Sequence, residues 1–159
     1  MLDTPRPTLA RSAMYPALGQ LRVAEAMHPG LISCSLETPL RSVARMMATY
    51  RVHAVLITSH GEEALPDGAL WGVVSDIDLL QAAETADLDV LPARTIAATP
   101  VVTVAVTDEL ASAARSMVEH DVSHLIVVEP ASARPVGVLS SLDIVRALAG
   151  FPERHPAIP

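Results

Sequence analysis

Displaced against itself by 70 positions, the chain sets Leu40-Arg41-Ser42-Val43-Ala44-Arg45-Met46-Met47 over Leu110-Ala111-Ser112-Ala113-Ala114-Arg115-Ser116-Met117, with five of eight positions identical. The same offset places Val52-His53-Ala54-Val55-Leu56-Ile57 over Val122-Ser123-His124-Leu125-Ile126-Val127, where both runs become apolar. At an offset of 65, Trp71-Gly72-Val73-Val74-Ser75-Asp76-Ile77-Asp78 lies over Val136-Gly137-Val138-Leu139-Ser140-Ser141-Leu142-Asp143. The change of offset marks a longer loop in the first copy, 60–69, with Gly61, Pro66 and Gly68 as turn formers. A chain of 159 residues written twice from one unit folds as two like halves, and its 50% apolar content lets them share a core.

Each copy reads in the same order. A short strand, 31–34 or 101–104, leads into a helix whose apolar residues at 40, 43, 44 and 47, or 110, 113, 114 and 117, share one face. Thr38 and Thr107 are placed to cap its start. Pro39 would open the first helix, and Asp108-Glu109 would face the positive dipole end of the other. Strands follow near 53–58 and 70–75, or 123–128 and 135–140, and a second helix begins after Ser75 or Ser140, with Gly150 stopping the last. The expected fold class is α/β in the α+β sense: two βαββα repeats packed as one pseudo-symmetric module. The expected division is an N-terminal extension over 1–22, repeats over 23–86 and 95–150, a linker over 87–94 and a tail over 151–159.

Composition removes several functions. A net charge of −7 without a basic run opposes binding to a phosphate backbone, so no nucleic acid is expected as a partner. All 11 basic residues are arginine, which excludes a Walker-type phosphate loop and Schiff-base catalysis. Cys34 is the only cysteine, ruling out an internal disulfide, and it reads as a small buried residue in a strand. The longest uncharged stretch, Thr95 to Thr107, contains Pro100 and is shorter than the roughly 20 residues of a membrane span. The first 22 residues carry three arginines and no signal-like apolar run, so a cytoplasmic location is expected. High mean hydropathy in a small chain points to a homodimer formed through the amphipathic helices.

Ser75-x-x-Asp78 and Ser140-x-x-Asp143 have the spacing of a helix capping box, which accounts for them without any ligand. The same serines would stand at helix starts, where free amide groups and the dipole favour an anion. His120 should end a helix and His124 begin a strand, so they do not share a face as a metal pair. His53, at the start of the equivalent strand, reads as structural. No nucleophile, base and oxyanion donor occur at catalytic spacing, and no enzymatic activity is expected.

The doubled Gly-apolar-apolar-Ser-x-x-Asp sequence, preceded each time by the same helix and strand, resembles the cystathionine-β-synthase (CBS) domain, which occurs in tandem pairs. The resemblance covers roughly 23–150, including Ala98-Thr99-Pro100-Val101-Val102-Thr103-Val104 as a start of the second copy. One departure is Leu56 and Ile126, where the family commonly has proline in its middle strand. The resemblance implies binding of AMP, ADP, ATP or S-adenosylmethionine in clefts between the repeats. One cleft would use Ser140 and Asp143 with Ile32, Val52 and Ala54; the other, Ser75 and Asp78 with Thr99, Val102, Val122 and His124. Arg146 and neutral Ser141 in the second copy, against Gln81 and Asp76 in the first, direct the more highly phosphorylated ligand to the Asp143 cleft. The function implied is a stand-alone regulatory module that needs no cofactor, takes an adenine nucleotide or S-adenosylmethionine as regulatory ligand, and acts on a separate protein. A structural dimerisation module without ligand is the alternative.

Overall fold

The computed structural model describes residues 18–59 and 70–150. The first repeat holds β2 (Ser33–Ser35), α2 (Leu40–Tyr50), β3 (Ala54–Thr58), β4 (Leu70–Ser75) and α3 (Asp76–Ala83). The second holds β5 (Thr103–Ala105), α4 (Leu110–His120), β6 (His124–Val128), β7 (Pro135–Ser140) and α5 (Ser141–Leu148). In each sheet the first strand runs parallel to the middle one, and the middle one antiparallel to the last. Both ladders shift register at the same place, between Ile57 and Thr58 and between Val127 and Val128.

The helices follow the apolar spacing. Leu40, Val43 and Met47 are buried on α2, and Leu110, Ala113, Ala114 and Met117 on α4. Each helix ends in a left-handed residue, Arg51 or Asp121 (φ 54° and 53°), which turns the chain so that Val52 N reaches Met47 O at 3.1 Å and Val122 N reaches Met117 O at 3.0 Å. Leu56 and Ile126, at the family's proline positions, are buried and donate their amides to Ile32 O (2.9 Å) and Val102 O (3.1 Å). A proline there would lose that bond.

Two expectations need correction. The opening strands begin two residues later than the apolar pattern predicts, at Ser33 and Thr103. Thr38 and Thr107 do not cap α2 and α4: the cap positions fall on Pro39 and Glu109, neither with a side-chain cap bond. The first helical amides instead donate to carbonyls from elsewhere in the chain, Leu40 N to Leu91 O and Leu110 N to Leu21 O, both at 2.9 Å. Once a backbone carbonyl meets this need, a threonine cap is not required.

Those carbonyls belong to two arms, 18–30 and 88–100, each of which precedes one repeat and packs on the other. In the first arm α1 (Val23–Ala26) and β1 (His28–Pro29) join the second repeat, with β1 on the free edge of β7. Leu18, Val23 and Ala26 lie in a core with Leu110, Leu125 and Leu139, while Ala93 lies in the first repeat's core with Leu40, Val55 and Val74. The backbone bonds are equivalent: Val23 N to Asp108 O (2.9 Å) matches Ala93 N to Thr38 O (2.8 Å), and Ala24 N to Val106 O (3.1 Å) matches Arg94 N to Leu36 O (3.1 Å). Leu18 is fully buried, and removing such a side chain costs about 2–5 kcal/mol, so the arm is part of the fold.

The motif glycines mark where the arms touch. A Cβ on Gly72 would lie 3.0 Å from Ala98 O, and one on Gly137 would fall within contact distance of His28 O. The arm backbone approaches the strand too closely for a side chain.

Candidate functional site

Ser75 and Ser140 are the N-caps of α3 and α5, and both capping boxes are formed. Asp78 Oδ2 accepts from Ser75 N and Oγ, each at 2.7 Å, and Asp78 N donates to Ser75 Oγ at 3.3 Å. Asp143 Oδ2 accepts from Ser140 N at 2.8 Å and Oγ at 2.6 Å, and Asp143 N donates to Ser140 Oγ at 3.2 Å. The amides at the start of α3 are committed too. Asp76 N donates to His53 O at 3.0 Å and Ile77 N to Asp76 Oδ1 at 2.9 Å. A phosphate arriving at α3 therefore has to displace existing acceptors.

A cleft of about 560 Å³ opens between the repeats at Ser75 and Asp78, with Ala98, Asp121, Val122 and His124 among the residues around it. Four expected residues, Ser75, Asp78, Val122 and His124, thus meet in one place. Thr99 and Val102 do not line this cleft. Val102 packs against the second core, and Thr99 Cγ2 sits beside Gly72. Asp121 and Ala98 were not anticipated; the signal available for Asp121 was its place between the helix and Val122.

His124 pairs with Ser140 across its own sheet yet faces the cleft of Ser75, as the pseudo-symmetric crossing of the repeats requires. Burial pushes its pKa below the ordinary histidine value, against the opposing pull of the Asp76 carboxylate. A neutral imidazole both donates and accepts. The residues lining the cleft include the carboxylates of Asp78 and Asp121 and, among the described residues, no arginine.

The Ser140 side differs. Asp143 is 3% exposed, and its Oδ1 lies 3.0 Å from His28 Nε2. Burial raises the Asp143 pKa, but hydrogen bonds from His28 and Ser140 outweigh it and hold the carboxyl below its usual range. Arg146, expected to meet a phosphate, places Nη1 3.8 Å from Asp143 Oδ1. Ile32 and Val52 are half-buried against the first core and Ala54 is buried. His53 Nδ1 is 2.9 Å from Asp76 Oδ2, so that acid already has a polar partner.

His120 ends α4 and His124 begins β6, as expected, and no group of three metal-ligating side chains occurs among the described residues. No helix among them is long and apolar enough to cross a membrane.

The CBS domain family profile matches residues 23–85 and 93–150. A search of curated proteins finds no match. Among solved structures, the CBS domain protein PAE2072 from Pyrobaculum aerophilum complexed with AMP is 33% identical, with a TM-score of 0.66 over 82% of this chain and 99% of that one. The CBS domain pair of protein MJ0100, in complex with 5'-methylthioadenosine and S-adenosyl-L-methionine, is 19% identical with a TM-score of 0.69 over 82% and 97%. The CBS domain of the bacterial CNNM/CorC family Mg2+ transporter in complex with ATP is 20% identical with a TM-score of 0.67 over 84% and 91%. With profile matches over both of its repeats, the chain belongs to the CBS domain family and carries a tandem pair of these repeats.

Proposed function

We propose that this chain is a non-catalytic regulatory module that binds an adenosine-containing ligand in the cleft at Ser75, Asp78, Ala98, Asp121, Val122 and His124. The observation that carries the reading is the open inter-repeat cleft with half-buried Asp78 in its wall, in a chain 33% identical to a relative complexed with AMP. Its volume, about 560 Å³, suits a nucleoside-sized molecule. Val73, Met117 and Val122 offer apolar surface for an adenine ring, and Asp78 offers a carboxylate for the ribose diol. The hydroxyl of Ser75 already donates to Asp78, which suits a positioning role better than nucleophilic attack.

A module of this kind acts through another molecule, because ligand energy has to be transmitted as a change in affinity. Exposed Ile77 and Leu80 on α3, with Leu142 and Val145 on α5, supply the apolar face for a homodimer, and Ile77 also borders the cleft. The reading includes a cytoplasmic setting, a partner protein regulated in trans, and no role for nucleic acid or membrane.

The test is a thermal-shift series with AMP, ADP, ATP and S-adenosylmethionine on the full chain. A ligand at about 100 times its dissociation constant adds roughly 2.7 kcal/mol of stability. Absence of a shift with all four at millimolar concentration would replace this reading with that of a dimerisation module.

A further inference from the structure

We infer that His28 holds the Ser140/Asp143 cleft shut, so that the chain takes up one adenosine ligand, in the Ser75/Asp78 cleft, instead of two. The inference rests on the nucleotide-binding reading above and adds which cleft is used and which residue decides it.

The two arms lie on equivalent strand edges. His28 is opposite Val138 on β7, and Ala98 is opposite Val73 on β4. Val138 and Val73 correspond at the offset of 65, as His28 and Ala98 do at 70. One arm thus presents an imidazole where the other presents a methyl group. The imidazole reaches the motif aspartate of its sheet, with His28 Nε2 3.0 Å from Asp143 Oδ1. Ala98 has no group that can reach Asp78, and it lines the open cleft.

A ribose diol is recognised by a carboxylate with acceptor sites to spare, and an ionised carboxylate has about four. Both aspartates spend Oδ2 on their capping serine. Asp143 also engages Oδ1 with His28, has Arg146 Nη1 at 3.8 Å, and leaves 1% of its side chain exposed. Asp78 Oδ1 accepts no hydrogen bond among the described residues. A ligand approaching Asp143 must first displace a buried contact; one approaching Asp78 need not.

His28 is not on a loose segment. β1 is paired on β7, Gly137 admits its backbone, and Gly30 N donates to Val136 O at 2.9 Å, so the arm is pinned on both sides of the imidazole.

Calorimetric titration with AMP, and separately with S-adenosylmethionine, tests this on the full chain. The wild type should bind one ligand per chain, and His28→Ala, which makes the arm match its counterpart, should bind two. The reciprocal Ala98→His should abolish binding while leaving the fold intact by circular dichroism. Asp78→Ala should weaken binding about tenfold or more, and Asp143→Ala should leave it within about twofold of wild type. If His28→Ala fails to fold, Ala98→His and the two aspartate variants decide the matter. Two ligands per wild-type chain, one per His28→Ala chain, or loss of binding in Asp143→Ala would overturn the inference and leave the nucleotide-binding reading standing. If neither wild type nor His28→Ala binds either probe, both fall together.

Discussion

Arg51 and Asp121 stand 70 positions apart and end their helices with nearly the same left-handed backbone, φ 54° and ψ 42° against φ 53° and ψ 45°. A left-handed conformation costs a residue with a Cβ about 1–2 kcal/mol, and neither position is glycine. Arg51→Gly and Asp121→Gly should therefore each stabilise the chain, by about 1 kcal/mol, in urea unfolding. The aspartate should gain a few tenths of a kcal/mol more, because its charge opposes the negative helix end whereas arginine favours it. A loss of stability in both variants would show that these side chains make contacts worth more than the strain.

Asp121 also lines the open cleft with Asp78, where the described residues supply no arginine. Two carboxylates repel a polyphosphate. The wild type should thus bind adenosine or S-adenosylmethionine in preference to ATP, and Asp121→Asn should improve ATP binding several-fold at low salt, with less effect at high salt. Titration at two ionic strengths checks this. An unchanged ATP affinity would place the phosphates away from Asp121.

Acid should destabilise the chain in two stages. The folded state holds His124 neutral, chiefly through burial, so the unfolded chain takes up the proton first and stability falls as pH drops below about 6.5. The Asp143 carboxyl is held below its usual range, so its contribution is complete above about pH 3.9 and is lost as pH falls through its folded value. Urea unfolding across this range should show His124→Gln removing the first slope and Asp143→Asn the second. Parallel curves for wild type and His124→Gln between pH 5 and 7 would refute the first assignment.

Dimerisation, if it uses the exposed apolar faces, should respond to α3 and α5. Val145 is 55% exposed and Ile77 54%. Val145→Glu or Ile77→Glu should shift light scattering from dimer to monomer with little loss of stability. Ala113, on α4, is fully buried in the second core, so Ala113→Glu should unfold the chain instead of splitting a dimer. Retention of the dimer by both surface variants would move the interface elsewhere.

Much of this architecture was legible in the chain. The spacing of Leu40, Val43 and Met47, the Ser75 and Ser140 caps, and the doubled motif all express forces acting within about one or two helical turns, which a linear pattern records directly. The clefts were half legible: Ser75, Asp78, Val122 and His124 do come together, because repeat symmetry implies a pairing between copies. What only the tertiary structure decided was the exchange of arms. Leu91 O supplies the cap expected of Thr38, and His28 meets Asp143 across 115 positions of sequence. Neither contact follows from local periodicity. The His28 contact depends on which sheet edge is left unpaired once the strands have assembled, and that edge exists only in the folded chain.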